Sequence, residues 1–200
     1  MQRIVSTYVR VVDKVNYRLG RIMMYGIFVM IGVLLWSSFS KTFALPSLWT
    51  LEIAQFSMVA YYILGGPYSI QLGANVRMDL FYGDWNTRKK AWFDAFTVFV
   101  LIFYLSVLLY GALESTAYSL GAPWDRTEPF SFYWHLLVGF TTGGVEGFNE
   151  VLGRLELSAT PWRPYMWPVK VIMVFGFFLM LLQAISELAK DIATIKGIKL

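Results

Sequence analysis

The stretch LGANVRMDLFYGDWNTRKKAWFD, residues 72–94, separates two of the most apolar segments of a 200-residue chain. It gathers four Lys/Arg residues and three Asp residues, although only 15% of the whole chain is charged and 57% is apolar. Soluble domains carry about 25% charged residues. A short charged break between long apolar runs is typical of a membrane protein whose connecting loop is held on one side of the bilayer.

Four apolar stretches flank or follow this break, at about residues 22–39, 51–72, 95–113 and 166–188. Each is long enough to cross a bilayer core of about 30 Å, which requires roughly 20 helical residues. The first stretch follows basic residues, as a cleaved signal peptide would, but its apolar run is too long and no convincing small-residue cleavage site follows it. We therefore predict an all-α integral membrane protein with four transmembrane helices.

The distribution of lysine and arginine predicts how these helices are oriented. Twelve of these residues lie in the N-terminal tail, the charged stretch and the C-terminal tail, whereas five lie elsewhere. Basic residues accumulate on the cytoplasmic side of membrane proteins. Both termini and the charged stretch are therefore predicted to be cytoplasmic, and residues 121–165 form a long outer loop.

The N-terminal tail, residues 1–21, has the pattern of a cationic amphipathic helix. Arg10, Asp13, Lys14 and Arg18 recur at steps of three and four residues, and valines occupy the opposite face. Such helices lie along anionic leaflets, so Arg10, Lys14 and Arg18 are candidate lipid contacts. The alternative is a solvated helical extension of the first span.

The outer loop contains two further segments with a helical pattern. PFSFYWHLLVGF, residues 129–140, is apolar but too short to cross, so it is predicted to be interfacial or re-entrant. GFNEVLGRLEL, residues 147–157, is predicted to form a short amphipathic helix. A connection of this length is typical of a functional or partner-covered loop.

Polar residues within the spans are the first candidates for function, because leaving them unpaired in lipid is costly. Glu52 and Gln55 share one face of the second span, and Glu114 lies near the outer end of the third. Together Glu52 and Glu114 could serve a self-sufficient small transporter or channel. The alternative for Glu52 is a structural position near the positive end of its helix, where a carboxylate is stabilised.

Small residues recur every four positions in two of the spans, beginning at Gly65 in the second and Gly111 in the third. This spacing lets helices approach closely. It is equally consistent with packing inside this bundle and with packing against another membrane protein.

The composition argues against several classes of enzyme and cofactor. The chain has no cysteine and one histidine, which removes thiolate metal sites, disulfides and paired haem ligands. Neither a nucleotide-binding loop nor a catalytic triad pattern is present. Its positive charges adjoin apolar runs rather than forming a basic domain, so nucleic acid is not a predicted partner. We predict that the chain is not an enzyme and uses no cofactor or metal.

Three segments resemble the small membrane subunit, the Q or DctQ-like subunit, of tripartite ATP-independent periplasmic (TRAP) transporters. The segments are GANVRMDLFYGDWNTRKKAWFDAF (residues 73–96), TPWRPYMWPVKVIMVFGFFLMLLQAISELAKDI (residues 160–192) and Trp49–Gln55. The resemblance covers most of the chain at the level of topology. The long outer loop, residues 121–160, departs from it, because it exceeds that of the shortest family members, so its role does not follow from the resemblance.

The resemblance implies a scaffold role. The Q subunit pairs with a much larger membrane subunit, M, which holds the substrate and sodium sites and moves in an elevator-like fashion. A soluble periplasmic binding protein, P, delivers an organic acid. The chain would then be a non-catalytic subunit in the inner membrane of a bacterium or archaeon, with M, P and lipids as partners and with its outer loop in the periplasm.

The same resemblance suggests roles for residues of the charged stretch. Arg77 and Asp79 would pair with each other or with loops of M. Lys89 and Lys90 would meet anionic lipid headgroups.

Further roles follow for the two helix entries on the outer side. Glu52 and Gln55 match the start of helix two. Trp162, Arg163 and Trp167 would fix the entry of the fourth span, and Arg163 would be free to face P.

Overall fold

The computed structural model describes residues 2–43, 45–73, 85–122 and 129–197. Within these ranges the secondary structure is helical apart from an isolated antiparallel bridge between Leu157 and Tyr165, so the predicted all-helical class is confirmed. The described helices are α1 (Gln2–Met23), α2 (Gly26–Phe43), α3 (Thr50–Gln71), α4 (Thr87–Ser119), α5 (Pro129–Val151) and α6 (Trp167–Lys196).

Helices α2, α3, α4 and α6 correspond to the four predicted apolar stretches, but α2 begins at Gly26, four residues after the predicted start of the first stretch. Three described segments are long and apolar enough to cross a membrane: Arg3–Phe43, Lys89–Ser119 and Trp167–Lys196. Helix α3 is not among them; its sequence includes Glu52 and Gln55 as well as tyrosines, glycines and a proline. Membrane character is thereby supported, whereas the count of four spans and the cytoplasmic termini stay predictions.

The apolar core lies between α4 and α6. Leu105 and Ala112 of α4 are buried against Phe177 and Ala184 of α6, and partly buried aliphatic side chains surround them. The Lys170 ammonium near the start of α6 donates to the Ser115 carbonyl near the end of α4, so the two helices run antiparallel.

Helix α3 packs beside α6 through glycines. A Cβ placed on Gly176 of α6 would lie 2.1 Å from Cγ2 of Ile63, and one placed on Gly66 of α3 would lie 2.2 Å from Cε of Met180. A Cβ at Gly66 would require the flexible end of Met180 to move, whereas one at Gly176 would also lie 3.1 Å from the Ile63 carbonyl oxygen, so glycine favours the close approach of the two helices there. Ile63 meets Gly176 and the later residue Gly66 meets the later residue Met180, so α3 and α6 are parallel.

Helix α2 follows α1 after a brief break at Met24 and Tyr25, and the chain from the end of α1 through α2 runs antiparallel to α3. Three contacts mark this course: Gly20 meets Tyr68, Gly26 meets Tyr61, and the Thr50 hydroxyl donates to Ser37 Oγ over 3.2 Å. Consecutive long helices α2, α3, α4 and α6 thus alternate in direction. One end of the bundle collects the chain termini, and the other collects the α2–α3 and α5–α6 connections.

Helix α5 is a hairpin rather than a straight helix. Its backbone turns at Gly144, which has φ 59° and ψ −136°, a conformation open chiefly to glycine. The two arms touch where a Cβ on Gly139 would lie 2.5 Å from the Gly147 carbonyl oxygen. The prediction of a short helix over residues 147–157 is wrong beyond Val151, because the chain continues without helix from Leu152.

The amphipathic character of α1 is present, but its buried face differs from the valine face that the sequence predicts. Val9, Val12 and Asn16 are buried, whereas Val15 is 47% exposed. Asp13, expected on the charged face, points toward α6 instead. The helix is rotated because Asp13 and Asn16 find hydrogen-bonding partners on α6, as described next.

Candidate functional site

The end of the bundle that holds the termini contains a polar cluster that joins α1 to α6. We define this tail cluster as Asp13, Gln183, Ser186, Glu187 and Lys190. The Gln183 amide donates to Asp13 Oδ1 over 2.9 Å and to Glu187 Oε1 over 2.8 Å. The Lys190 ammonium lies 2.8 Å from carboxylate oxygens of both Asp13 and Glu187. Two acids are thus held together by one ammonium and one amide.

The orientation of the Gln183 amide is dictated by these carboxylates. Its NH₂ group must face Asp13 and Glu187, so its oxygen turns to Asn16 and accepts from Asn16 Nδ2 over 2.7 Å. Gln183 is 0% exposed and Asn16 is 1% exposed. The remaining oxygen of Asn16 has no hydrogen-bond partner within the described residues. Such an atom costs free energy, which is acceptable only where the surrounding bonds outweigh it.

Sequence reasoning did not bring this cluster together. Gln183 and Glu187 lie four residues apart on one face of a predicted span, and Lys190 follows three residues later. Polar residues at that spacing in an apolar helix require a polar partner. Asp13 lies among the basic residues of the N-terminal tail. Periodicity alone did not show whether this carboxylate faces α6 or the lipid headgroups.

The opposite end of the bundle contains a second ionic group, the loop cluster of Ser119, Glu156 and Lys170. The Lys170 ammonium lies 2.6 Å from Glu156 Oε2, and the Ser119 hydroxyl donates to the same oxygen. Partial burial acts to raise the pKa of Glu156, but these two hydrogen bonds and the charge of Lys170 outweigh it, so the pKa is lowered. The cluster joins the end of α4, the α5–α6 loop and the start of α6.

Glu52 lies near this end but belongs to a separate arrangement. It is 3% exposed, and its Oε1 accepts from the Ser158 hydroxyl over 3.0 Å. Its second oxygen has no partner among the described residues. Glu114 lies exposed on α4. Neither carboxylate forms an ion pair in the described part of the chain, and no bond links the two.

Several predicted interface residues lie at the surface. Gln55 is exposed on α3, and Trp162 and Trp167 are 41% and 37% exposed around the entry of α6. Arg163 adopts φ 49° in the turn between these tryptophans. Arg77 and Asp79 lie outside the described residues. The partner roles of all these residues stay predictions.

The predicted lipid contacts are also surface residues. Arg10, Lys14 and Arg18 are exposed along one side of α1. Lys89 is exposed and Lys90 half-buried in the first turn of α4. Their contact with headgroups stays a prediction.

Polar clusters with ion pairs connect the helices at both ends of the bundle. Each described ion pair connects different elements or neighbouring turns, and an apolar core separates the two clusters. Among the described residues, no group of three or more acidic, cysteine or histidine side chains could hold a metal ion.

Comparison with known proteins identifies the type of chain that carries this bundle. A family model described as "Tripartite ATP-independent periplasmic transporters, DctQ component" matches residues 30–143, more than half of the 200 residues. No curated protein and no solved structure matches the chain.

Proposed function

Because the chain belongs to the DctQ component family of tripartite ATP-independent periplasmic transporters, we propose that it is the non-catalytic scaffold subunit of an organic-acid importer. A carboxylate substrate would enter with the sodium gradient through the large membrane subunit, which this chain supports. The soluble binding protein would dock on the outer face. The chain would lie in the inner membrane of a bacterium or archaeon with both termini in the cytoplasm.

Four spans are the arrangement that best fits the helical bundle. Helix α3 has 22 residues and is therefore about 33 Å long, sufficient for a bilayer core. It runs beside α6, which is apolar enough to cross, and the two helices meet through Gly66 of α3 and Gly176 of α6. A helix packed in this way along a spanning helix lies at the same depth, so the lower apolarity of α3 points to protein neighbours rather than to a position outside the bilayer.

The observation that carries the proposal is an exposed stripe on α3 that contains polar groups. The stripe comprises the exposed residues Leu51, Gln55, Met58 and Tyr62 and, at its end, the half-buried Gly65. Neither the Gln55 amide nor the Tyr62 hydroxyl has a hydrogen-bond partner among the described residues, and Tyr62 is 61% exposed. Unpaired groups of this kind are unfavourable in lipid. A helix of the large subunit would supply their partners.

Gly65 adds a shape argument to the same stripe. A Cβ placed there would meet nothing within 4 Å, in contrast to the adjacent Gly66, which is filled by Met180. Small residues on an open helix face allow a second helix to approach closely. The stripe therefore offers open space at Gly65 together with the hydrogen-bonding groups of Gln55 and Tyr62, a combination that suits contact with another helix.

The interior supports a passive role. Between the tail cluster and the loop cluster the bundle is filled by Leu105, Phe177 and their apolar neighbours. An ion or carboxylate crossing the membrane requires a polar path. The bundle offers polar groups at its two ends, where they fasten helices to one another.

The test is co-purification with the large membrane subunit after substitution of Gly65 by leucine. Gly32 on α2 and Gly111 on α4 are matched controls, since a Cβ at either also meets nothing within 4 Å. We expect Gly65→Leu to reduce recovery of the large subunit, while Gly32→Leu and Gly111→Leu leave it unchanged. Equal recovery with all three variants would exclude the α3 stripe as the contact.

The rival function, a self-sufficient transporter or channel that uses Glu52 and Glu114, is tested in proteoliposomes. If the chain is a scaffold, proteoliposomes that contain it alone take up no carboxylate when a sodium gradient is imposed. Proteoliposomes that contain the complete complex do take it up. Uptake by this chain alone would refute the scaffold proposal.

A further inference from the structure

The loop between α5 and α6 is held firmly against the end of α4. The Gly153 amide donates to the Leu120 carbonyl over 3.2 Å, and the Glu156 amide donates to the Ser119 carbonyl over 3.0 Å. Gly153 also touches Gly121 so closely that a Cβ on Gly153 would lie 2.1 Å from the Gly121 oxygen. Side chains on this loop are therefore presented from a fixed backbone.

A cavity of about 420 Å³ opens between this loop and the end of α4. Two arginines, Arg154 and Arg163, line it together with Tyr118, Ala122 and Glu156. We call it the arginine cavity. It adjoins the loop cluster, so one wall is fixed by the ion pair between Glu156 and Lys170.

The two guanidinium groups are not neutralised within the described part of the chain. Neither Arg154 nor Arg163 has a hydrogen-bond or ion-pair partner for its side chain there. One oxygen of the carboxylate in the wall, Glu156 Oε2, already accepts from both Lys170 and Ser119. The cavity therefore offers two sets of planar donors and an excess of positive charge.

The backbone of Arg163 adopts a conformation that is unfavourable for a residue with a side chain. Its φ of 49° lies in the left-handed region, and Arg163 is the one non-glycine residue with positive φ among the described residues. A side chain in that conformation costs about 1 kcal/mol relative to glycine. Backbone strain of this type is commonly retained where the side chain is needed at a functional site.

We propose that the arginine cavity receives an acidic side chain of the soluble periplasmic binding protein. Guanidinium groups bind carboxylates through two parallel hydrogen bonds, and two arginines that line one cavity can receive one or two acidic residues. The cavity lies beyond the end of α4, past the apolar helical surface that faces lipid, where a soluble protein can reach it. The inference rests on the proposed function, which gives this end of the bundle to the periplasm.

The first experiment measures binding of the cognate binding protein to the complete membrane complex in lipid nanodiscs. Arg154→Ala and Arg163→Ala should each weaken binding about tenfold or more, as removal of a charged interface group does. Lys41→Ala, which removes an exposed cation from the end of α2 at the same end of the bundle, is the matched control and should change nothing.

Arg163→Gly separates charge from backbone strain. Glycine adopts the positive φ freely, so this variant should retain or increase thermal stability and still lose affinity as Arg163→Ala does. If the double variant Arg154→Ala/Arg163→Ala binds like the parent complex, the proposal is wrong. Retained binding with lost uptake would also overturn it, since the cavity would then hold substrate or a lipid phosphate.

A second experiment leaves both arginines intact and uses the absence of cysteine in the chain. Ala122→Cys introduces a single thiol in the cavity lining, to be labelled in spheroplasts with a membrane-impermeant maleimide. We expect labelling from outside and protection by added binding protein, with Lys41→Cys labelled but not protected. Labelling without protection would refute the docking inference alone. Labelling only from the cytoplasmic side would refute the orientation in the proposed function.

Discussion

Close packing of α3 against α6 through Gly176 leads to a sharp stability prediction. Replacing Gly176 by alanine adds a Cβ 2.1 Å from Ile63 Cγ2 and 3.1 Å from the Ile63 carbonyl oxygen. Rotation of the Ile63 side chain could relieve the first contact but not the second, which involves backbone. The two helices must therefore move apart.

The magnitude follows from a comparison with Gly65→Ala, which adds the same methyl group where nothing lies within 4 Å. Both changes gain about 0.5–1 kcal/mol because alanine favours helix over glycine. That term cancels in the difference, which leaves the overpacking cost of about 1–3 kcal/mol. Gly176→Ala should therefore unfold roughly 2–12 °C below Gly65→Ala, at about 2–4 °C per kcal/mol for a chain of this size.

The assay is thermal unfolding of the two variants in the same mild detergent, followed by far-UV circular dichroism. Ile63→Ala in the Gly176→Ala background supplies a double-mutant cycle, because it removes Cγ2, the nearer of the two Ile63 atoms that meet the new methyl group, and leaves the carbonyl oxygen in place. We expect a favourable coupling of the two substitutions. Equal unfolding temperatures for Gly176→Ala and Gly65→Ala, together with zero coupling, would refute this account of helix packing.

Three further predictions concern polar groups. Gln183→Ala removes hydrogen bonds to two carboxylates and strands the Asn16 amide, so we expect a loss of about 3–5 kcal/mol in the same unfolding assay. Glu156 has a pKa lowered below 4.5 in the folded chain, so its stabilising contribution is present above pH 4.5 and is lost as the pH falls through the lowered value. The stability difference between the parent chain and Glu156→Gln should accordingly shrink on acidification below pH 4.5. Glu52→Gln preserves an acceptor for Ser158 and removes a buried charge, so stability should be equal or higher and uptake by the complete complex unchanged.

Each of these predictions has an outcome that contradicts it. Full stability of Gln183→Ala would mean that α1 is held by other contacts. A constant difference between the parent chain and Glu156→Gln at every pH would deny the ionic role of Glu156. Lost uptake by a well-folded Glu52→Gln complex would favour a direct role of Glu52 in transport.

The positions of the glycines illustrate how far sequence reasoning reaches. Spacing indicated that Gly65 begins a small-residue pattern suited to helix packing but left the neighbour undecided. In the structure the adjacent Gly66 packs inside the bundle and Gly65 faces outward. Neighbouring positions on a helix differ in direction by about 100°, so the choice depends on which way α3 is rotated against α6.

In the charged N-terminal tail, the sequence predicted the exposed basic residues but not the ion pair. Periodicity predicted a helix with Arg10, Lys14 and Arg18 on its charged side, and these residues are exposed. It did not predict that Asp13 would pair with Lys190, a residue 177 positions away in the chain. Whether a carboxylate faces lipid headgroups or a partner helix is decided by distances that only the folded chain contains.

The amino-acid sequence alone determined the helical class, the apolar stretches, their charged boundaries and the family, because these depend on local composition and on short motifs. The tertiary structure alone decided that α1 is fastened to α6, that α5 folds back at Gly144, and that Arg154 and Arg163 share a cavity. Each of those features joins residues remote in sequence or fixes a rotation about a helix axis. Contacts between remote residues and rotations of helices about their axes cannot be derived from composition or periodicity, because both result from the mutual packing of helices.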